Sequence, residues 1–244
     1  MNFYKELSSV NDIVFPRVEE TVEFLCKDLK ANAEVLDLAC GTGTYSFALA
    51  ECGHKVTALD LDEDMIKIAI EKKGKLDVEF FVQDMTKIKD VFNNKMYDLI
   101  FCIGNSLVHL ESKEAIENLI KDMSYMLNDG GIIIVQIINY DRILTNNVTA
   151  LPIIDRKEQG VKLLRSYRIS EEEEEAIYFE TELFITKNNE EKKYVNSIKL
   201  LPILSAELLD MVEKSAFSII EIKGEFSGKE YTDESYAFII KGIK

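Results

Sequence analysis

Val35-Leu36-Asp37-Leu38-Ala39-Cys40-Gly41-Thr42-Gly43-Thr44 is the stretch whose reading decides the fold. An apolar run of strand length ends in a Gly-x-Gly turn, and residues 44–52 beyond it have helical character. Gly41 and Gly43 let the chain leave the strand tightly and let a ligand approach the backbone. Working outward, Lys55–Asp60 reads as a second strand that ends on an acid, 17 residues after Gly43. A carboxylate there can accept hydrogen bonds from both hydroxyls of a ribose. A Gly-x-Gly turn also fits a NAD-binding unit, but Ser46 occupies the place of the third glycine. Asp37, four residues before Gly41, would repel a pyrophosphate. It suits a ligand that ends in an amino acid with a cationic sulfonium beside it.

The flanking sequence extends this unit. Apolar positions at Val18, Val22, Leu25 and Leu29 mark a helix within residues 17–31. Further helices are expected around Asp64–Lys73 and over Ser112–Leu127, with strands at Val78–Val82, Tyr97–Ile103 and Gly131–Ile138. Asn128-Asp129-Gly130-Gly131 reads as a helix stop before the fifth strand. This alternation predicts an α/β fold, a doubly wound, Rossmann-like and mostly parallel seven-stranded sheet. After Asp141 the pattern changes: Val161–Ile169, Ala176–Lys187 and Lys192–Leu201 read as antiparallel strands, with Asn188-Asn189 as a turn. A helix over Ser205–Ala216 and strands at Ser218–Lys223 and Ser235–Lys241 complete the chain. The expected organisation is one domain over residues 1–244. Its core lies at about 20–140 and 202–244, with a β-rich lid inserted after the fifth strand at about 150–201. The acidic run Glu171–Glu175 reads as a solvated hairpin turn.

Composition narrows the partners. With 29 Lys+Arg against 44 Asp+Glu the net charge is −15, so nucleic acid and anionic membranes are disfavoured. No run approaches the ~18 apolar residues of a transmembrane helix, and no secretory signal is visible at the N-terminus. The four cysteines lack Cys-x-x-Cys pairing and are expected to be reduced thiols of a cytoplasmic protein. Cys40 is expected to pack into the glycine turn, Cys102 to lie in the core of its strand, and His54 to be at the surface. Two histidines are too few for most His-based metal sites, so no metal is expected.

At these motifs the sequence resembles the class I S-adenosylmethionine (SAM)-dependent methyltransferases. Asp37–Gly43 is similar to their first motif and Leu59–Met65 to their second. Gln83-Asp84-Met85 is similar to the acidic segment that usually reaches the adenine amino group. The resemblance implies SAM as cofactor and S-adenosylhomocysteine as product. It implies a cofactor site of Tyr4, Asp37, Ala39, Cys40, Gly41, Gly43, Asp60, Leu61, Met65, Asp84, Met85 and Cys102. Taken alone, Asp84 also reads as a helix cap, as do Asp62 and Asp64.

A finer resemblance begins at Gly104-Asn105-Ser106-Leu107-Val108-His109-Leu110. This segment looks like that of the glycine/sarcosine N-methyltransferases and their small-molecule relatives, and Asn139-Tyr140-Asp141, Tyr167 and Phe3-Tyr4 continue the likeness. It implies catalytic roles for His109 and Asn105, with Asn105, His109, Asn139 and Tyr167 facing the acceptor and Tyr4 closing over the methyl donor. Ile138 stands where glycine-specific members carry an arginine that clamps the substrate carboxylate, and Leu200-Leu201 where they carry a tyrosine. Glycine is therefore disfavoured, and Arg142 is a candidate replacement anchor. Arg156, Lys157, Lys162, Arg165 and Arg168 face only Asp155 and Glu158 within Asp155–Ser170. These cations either hold an anionic group of the acceptor or pair with Glu171–Glu175 and Glu180. The expected function is methyl transfer to a small molecule, on nitrogen. The competing readings are an RNA or protein methyltransferase, and a non-catalytic SAM-binding regulatory protein.

Overall fold

The computed structural model describes residues 3–169 and 176–244. Glu171–Glu175, with its expected hairpin turn, lies outside the described residues. The first half alternates as expected: β1 (Glu34–Leu38) follows helices α1 (Phe3–Val14) and α2 (Glu19–Cys26), and leads to α3 (Thr44–Glu51) and β2 (Lys55–Asp60). Then come α4 (Glu63–Lys72), β3 (Val78–Val82), the single turn α5 (Ile88–Val91), β4 (Tyr97–Cys102), α6 (Lys113–Tyr125), β5 (Leu127–Ile138) and α7 (Tyr140–Thr145). Four strands follow, β6 (Ile154–Arg156), β7 (Val161–Ile169), β8 (Ile177–Lys187) and β9 (Glu190–Leu200). Helix α8 (Ser205–Glu213), β10 (Ile219–Lys223) and β11 (Ala237–Ile243) end the chain.

The seven-stranded sheet has the order β10-β11-β5-β4-β1-β2-β3. Its pairs are parallel from β5 to β3, and β11 and β10 are antiparallel. Strands covered by helices on both faces should be apolar throughout, and β4 is buried along its whole length. Alternate residues serve opposite layers. Leu36, Leu38 and Ile100 pack with Leu119, Ile120 and Met123 of α6, whereas Val35, Leu99 and Phe101 pack with Leu25 and Leu49.

The second sheet, in the order β6-β7-β8-β9, is antiparallel. Its β8–β9 turn has Asn188 and Asn189 at φ 53° and 63°, the left-handed pair that a two-residue hairpin with matching twist requires. One end of its inner face, with Val161, Leu163, Leu183, Ile185 and Tyr194, buries Phe3, Val10 and Val14 of α1.

Several expectations need correction. The strand β5 starts at Leu127, and Asn128–Gly131 is a bulge inside it: the register passes from Tyr97↔Leu127 to Leu99↔Ile132. Gly130, at φ 73°, donates its N–H to the Lys244 carbonyl (3.2 Å), so the turn residues serve the chain's end as well as the helix stop. His54 is buried rather than at the surface, its Nδ1 accepting the Ala33 N–H at 3.2 Å, and burial holds its pKa below the usual value. Helix α2 is shorter than residues 17–31. Helix α1 and strand β6 were not anticipated: the apolar residues of α1 are buried against a sheet more than a hundred residues away.

Gly43 sits at φ 82°, and a Cβ there would stand 2.8 Å from the Phe80 ring and 3.0 Å from that of Phe47. Gly53 is equally left-handed, at φ 88°, but a Cβ there would meet no heavy atom within 4 Å. Gly53→Ala should therefore cost only backbone strain, ~1–2 kcal/mol. Gly43→Ala should cost a further ~1–3 kcal/mol from overpacking. Urea titration of the two variants measures the difference, and equal midpoints would refute the packing account.

Candidate active site

The carboxyl ends of β1 to β4 open into one pocket, where a parallel sheet is expected to take a ligand. Its volume is about 540 Å³, within the range of small-molecule sites. Ala39 comes from the end of β1, Leu59 to Asp62 from the end of β2, and Met65 from α4. Gln83, Asp84 and Met85 follow β3, Ser106, His109 and Leu110 follow β4, and Tyr4 of α1 forms a further wall.

Three acids, Asp60, Asp62 and Asp84, line this pocket, with no lysine or arginine. Such a wall favours a cationic ligand and disfavours a pyrophosphate. Asp60 Oδ2 accepts the Gly41 N–H (2.8 Å), and its Oδ1 accepts the Asp62 N–H (2.9 Å). Burial raises its pKa, against the opposing pull of those two N–H groups. A carboxylate offers about four lone-pair directions, so two ribose hydroxyls can still be accepted. Leu61 beside it is 73% exposed, an apolar wall in search of a flat partner. Asp62 caps α4 by accepting the Met65 N–H (3.0 Å). Asp84 Oδ1 accepts the Thr86 N–H and hydroxyl, both at 2.8 Å, so Asp84 is a cap that also faces the pocket.

Asp37, Cys40, Gly41, Gly43 and Cys102 do not line the pocket. Asp37 is buried beneath it and accepts the Ser46 hydroxyl (2.5 Å). Burial first, then the neighbouring Asp60, pushes its pKa up to about 7, against the Ser46 bond. Cys40 is half-buried in the turn, as expected, with Sγ 3.6 Å from the Gly41 carbonyl. The side chain of Cys102 is wholly core.

On the acceptor side the structure separates the candidates. His109 is open to the pocket, and burial of its surroundings lowers its pKa, which keeps the imidazole neutral at pH 7. Asn105 is held in the left-handed region (φ 67°). Its Oδ1 accepts the Ile138 N–H (3.0 Å) and its Nδ2 donates to the Tyr140 hydroxyl (3.0 Å). Asn139 does not face an acceptor. It is buried, caps α7 through the Arg142 N–H (3.1 Å), accepts the Tyr231 hydroxyl (3.2 Å) and donates to the carbonyls of Asp233 and Ser235. Arg142 is stacked 4.4 Å from the centre of the Tyr236 ring and stays outside the pocket lining. Tyr167 is buried, and burial pushes its hydroxyl up to about 12.

The basic stretch is also sorted. Arg156 donates to the Ile13 carbonyl (3.1 Å), Lys162 lies 5.9 Å from the Phe184 ring centre, and Arg168 pairs with Glu180 (2.9 Å). Arg165 lies on the face of β7 with buried Leu163 and Tyr167, a face that Arg156, paired with Val161, shares at its α1 end.

A latch that the sequence concealed holds α1 over the glycine turn. Asp12 accepts the hydroxyls of Thr42 (2.6 Å) and Thr44 (3.3 Å) and pairs with Lys72 (2.6 Å), which also donates to the Thr42 carbonyl (3.0 Å). Burial opposes the charge of Asp12, but Lys72 and Thr42 outweigh it and keep its pKa below the usual range. Asp12 and Lys72 carry no local signature because their pairing requires α1 to be docked. Asp62 had one, the acid three residues before Met65 at the start of α4.

Residues 35–131 match the family model described as a methyltransferase domain. Over that stretch the chain is similar to known methyltransferase domains. It is 32% identical over 123 residues to glycine N-methyltransferase of Rattus norvegicus, covering 46% of this chain and 42% of that protein. It is 32% identical over 126 residues to glycine/sarcosine N-methyltransferase of Aphanothece halophytica, covering 50% and 47%. The chain thus spans about half the length of the curated relatives it matches. A SAM-dependent methyltransferase structure from Clostridium acetobutylicum aligns over 99% of both chains with TM-score 0.82 at 18% identity.

Asp60→Ala should weaken S-adenosylhomocysteine binding at least tenfold, because two hydroxyl bonds to a charged acceptor, ~1.5–3 kcal/mol each, are lost. Asp64→Ala, outside the pocket lining, should bind as the parent does. Calorimetric titration compares them, and unchanged affinity in Asp60→Ala would remove this carboxylate from the site.

Proposed function

We propose that this chain transfers a methyl group from SAM to a nitrogen of a small molecule. The observation that carries the reading is a pocket with three acidic lining residues and no cation, joined to a neutral imidazole on its β4 side. The acids fit the cofactor's cationic end, Asp60 its ribose hydroxyls, Asp84 its adenine amino group and Leu61 its flat apolar faces. The names of the relatives, glycine and glycine/sarcosine N-methyltransferase, support nitrogen as the accepting atom. The size of the pocket supports a small molecule. Tyr4 of α1 lines the pocket, and its hydroxyl accepts from Asn196 Nδ2 of β9 (3.4 Å), so helix and second sheet meet as a lid.

Bound SAM supplies an electrophilic methyl carbon on a positively charged sulfur. The chain contributes alignment and exclusion of water, from which near-attack positioning derives most of its effect. With SAM bound, the acceptor nitrogen's lone pair would form the new N–C bond as the C–S bond gave up the methyl group and left its electron pair on sulfur. The surplus N–H proton passes to His109 Nδ1 or Nε2, or to solvent. An amine arriving neutral needs no stronger base.

Incubation of the protein with methyl-labelled SAM and a protein-free, nucleic-acid-free metabolite extract should yield a labelled small molecule. Label found only in added protein or RNA would overturn the reading, and tight SAM binding with no labelled product anywhere would indicate a regulatory protein. His109 titrates below its usual 6.5, and its neutral form is the proton acceptor. With saturating acceptor, kcat should therefore rise with pH through a midpoint below 6.5 and then level off. His109→Ala should lose that limb and be about 10²-fold slower. An unchanged profile in the variant would assign the proton to solvent.

A further inference from the structure

Among the described residues, four buried side-chain polar atoms have no hydrogen-bond partner, and three of them lie in one patch: Arg165 Nε, Tyr167 Oη and Thr181 Oγ1. Tyr167 and Thr181 are themselves 3% and 4% exposed. Arg165 and Thr181 are direct cross-strand partners in β7 and β8, and Tyr167 stands two residues along from Arg165 on the same face. Facing side chains at such positions have Cβ atoms about 5 Å apart. Folded proteins leave few buried polar groups unanswered, so three in one patch call for a partner outside the chain. Nη2 of Arg165 donates to the Pro152 carbonyl (2.9 Å), which fixes the guanidinium. No carboxylate pairs with Arg165 among the described residues, and burial lowers its pKa with only the Tyr167 phenol opposing the loss.

The patch continues toward the pocket. The partner of Thr181 across the β8–β9 pair is Asn196, whose amide reaches the Tyr4 hydroxyl at the pocket wall. The two ends of this inner face are apolar: Leu163, Leu183 and Tyr194 pack on α1, and Tyr167, Ile177 and Leu200 join the core of the main sheet. The row Arg165–Thr181–Asn196 between them is polar.

We propose that Arg165, with the hydroxyls of Thr181 and Tyr167, is the anchoring site for a carboxylate of the methyl acceptor, which is therefore an amine bearing a carboxylic acid. This deepens the methyltransferase reading and rests on it. A guanidinium and two hydroxyls are donors, so their complement is an oxygen acceptor. One half-buried cation balances one negative charge, which selects a carboxylate over a phosphate dianion, and the planar fork suits a carboxylate's two oxygens.

The test uses S-adenosylhomocysteine-loaded protein, titrated calorimetrically with α-, β- and γ-amino acids and with the amines that lack their carboxylate. At least one acid should bind, its decarboxylated amine at least tenfold more weakly. Arg165→Met should lose the acid's binding at least tenfold and keep its affinity for S-adenosylhomocysteine. Its melting temperature should equal or exceed the parent's, because an unpaired buried charge is removed. Equal binding of acids and amines, undiminished acid binding in Arg165→Met, no acid bound at millimolar concentration, or a melting temperature lowered by several degrees would each overturn the assignment. Failure of the parent to bind S-adenosylhomocysteine would instead strike the methyltransferase reading itself.

Discussion

The carboxylate of Asp60 is the joint on which the site depends. One oxygen takes the N–H of Gly41, at the exit of β1, and the other takes the N–H of Asp62, at the exit of β2. Two neighbouring strands therefore end in turns fixed to the same side chain. The Gly41 turn, with φ 55°, is bent back toward β2 instead of running on along β1, and that bend leaves space above the sheet. Removing this acid would free two backbone donors beside a pocket already short of cations. The acid that would hold a ribose is thus also the one that shapes the turn beneath it.

Around this joint, charge is arranged by position more than by number. The chain as a whole carries −15, yet the acids that matter are the few placed where water is scarce. Asp37 is pushed up to about 7 because it is buried and because Asp60 is close. A cation arriving in the pocket relieves both acids, whereas a polyanion meets all of them. The local well for a small cation is thus made by the few acids at the pocket and not by the −15 as a whole.

How much of this was legible in the sequence follows from how local each cause is. The β1–α3–β2 unit was readable because strand, turn and acid lie within 27 residues and each has its own signal. The antiparallel strands were readable from alternation and from Asn188-Asn189, whose left-handed conformation is intrinsic to the residue type. What failed was whatever depends on distant docking. Nothing in Phe3–Val14 shows that its apolar stripe belongs under β7–β9, or that Asp12 will meet Lys72. His54 looks like a surface residue until Ala33 is placed beside its ring. Asn139 fitted an acceptor-facing role by motif, but its amide is used by the local α7 cap at Arg142 and by Asp233 and Ser235, which the closing of the fold brings to it. Asn105, by contrast, combines both kinds of cause: its motif neighbours are local, and its partners Ile138 and Tyr140 are not.

The second sheet shows why a local charge count cannot locate a binding site. Five cations between residues 156 and 168 look equivalent in sequence, but β-strand alternation sends successive side chains to opposite faces. Arg168 reaches outward to Glu180 and Tyr178, whereas Arg165, three residues earlier, points inward. The inward position is the costly one, because a guanidinium there loses water and gains only a carbonyl. A stability-optimised sheet would place an aliphatic residue between Leu163 and Tyr167. That this chain keeps a charge at that position, opposite a threonine whose hydroxyl is also unanswered, is a departure from good packing confined to the row that leads to the pocket. Departures of that kind are expected where binding, and not folding, sets the residue.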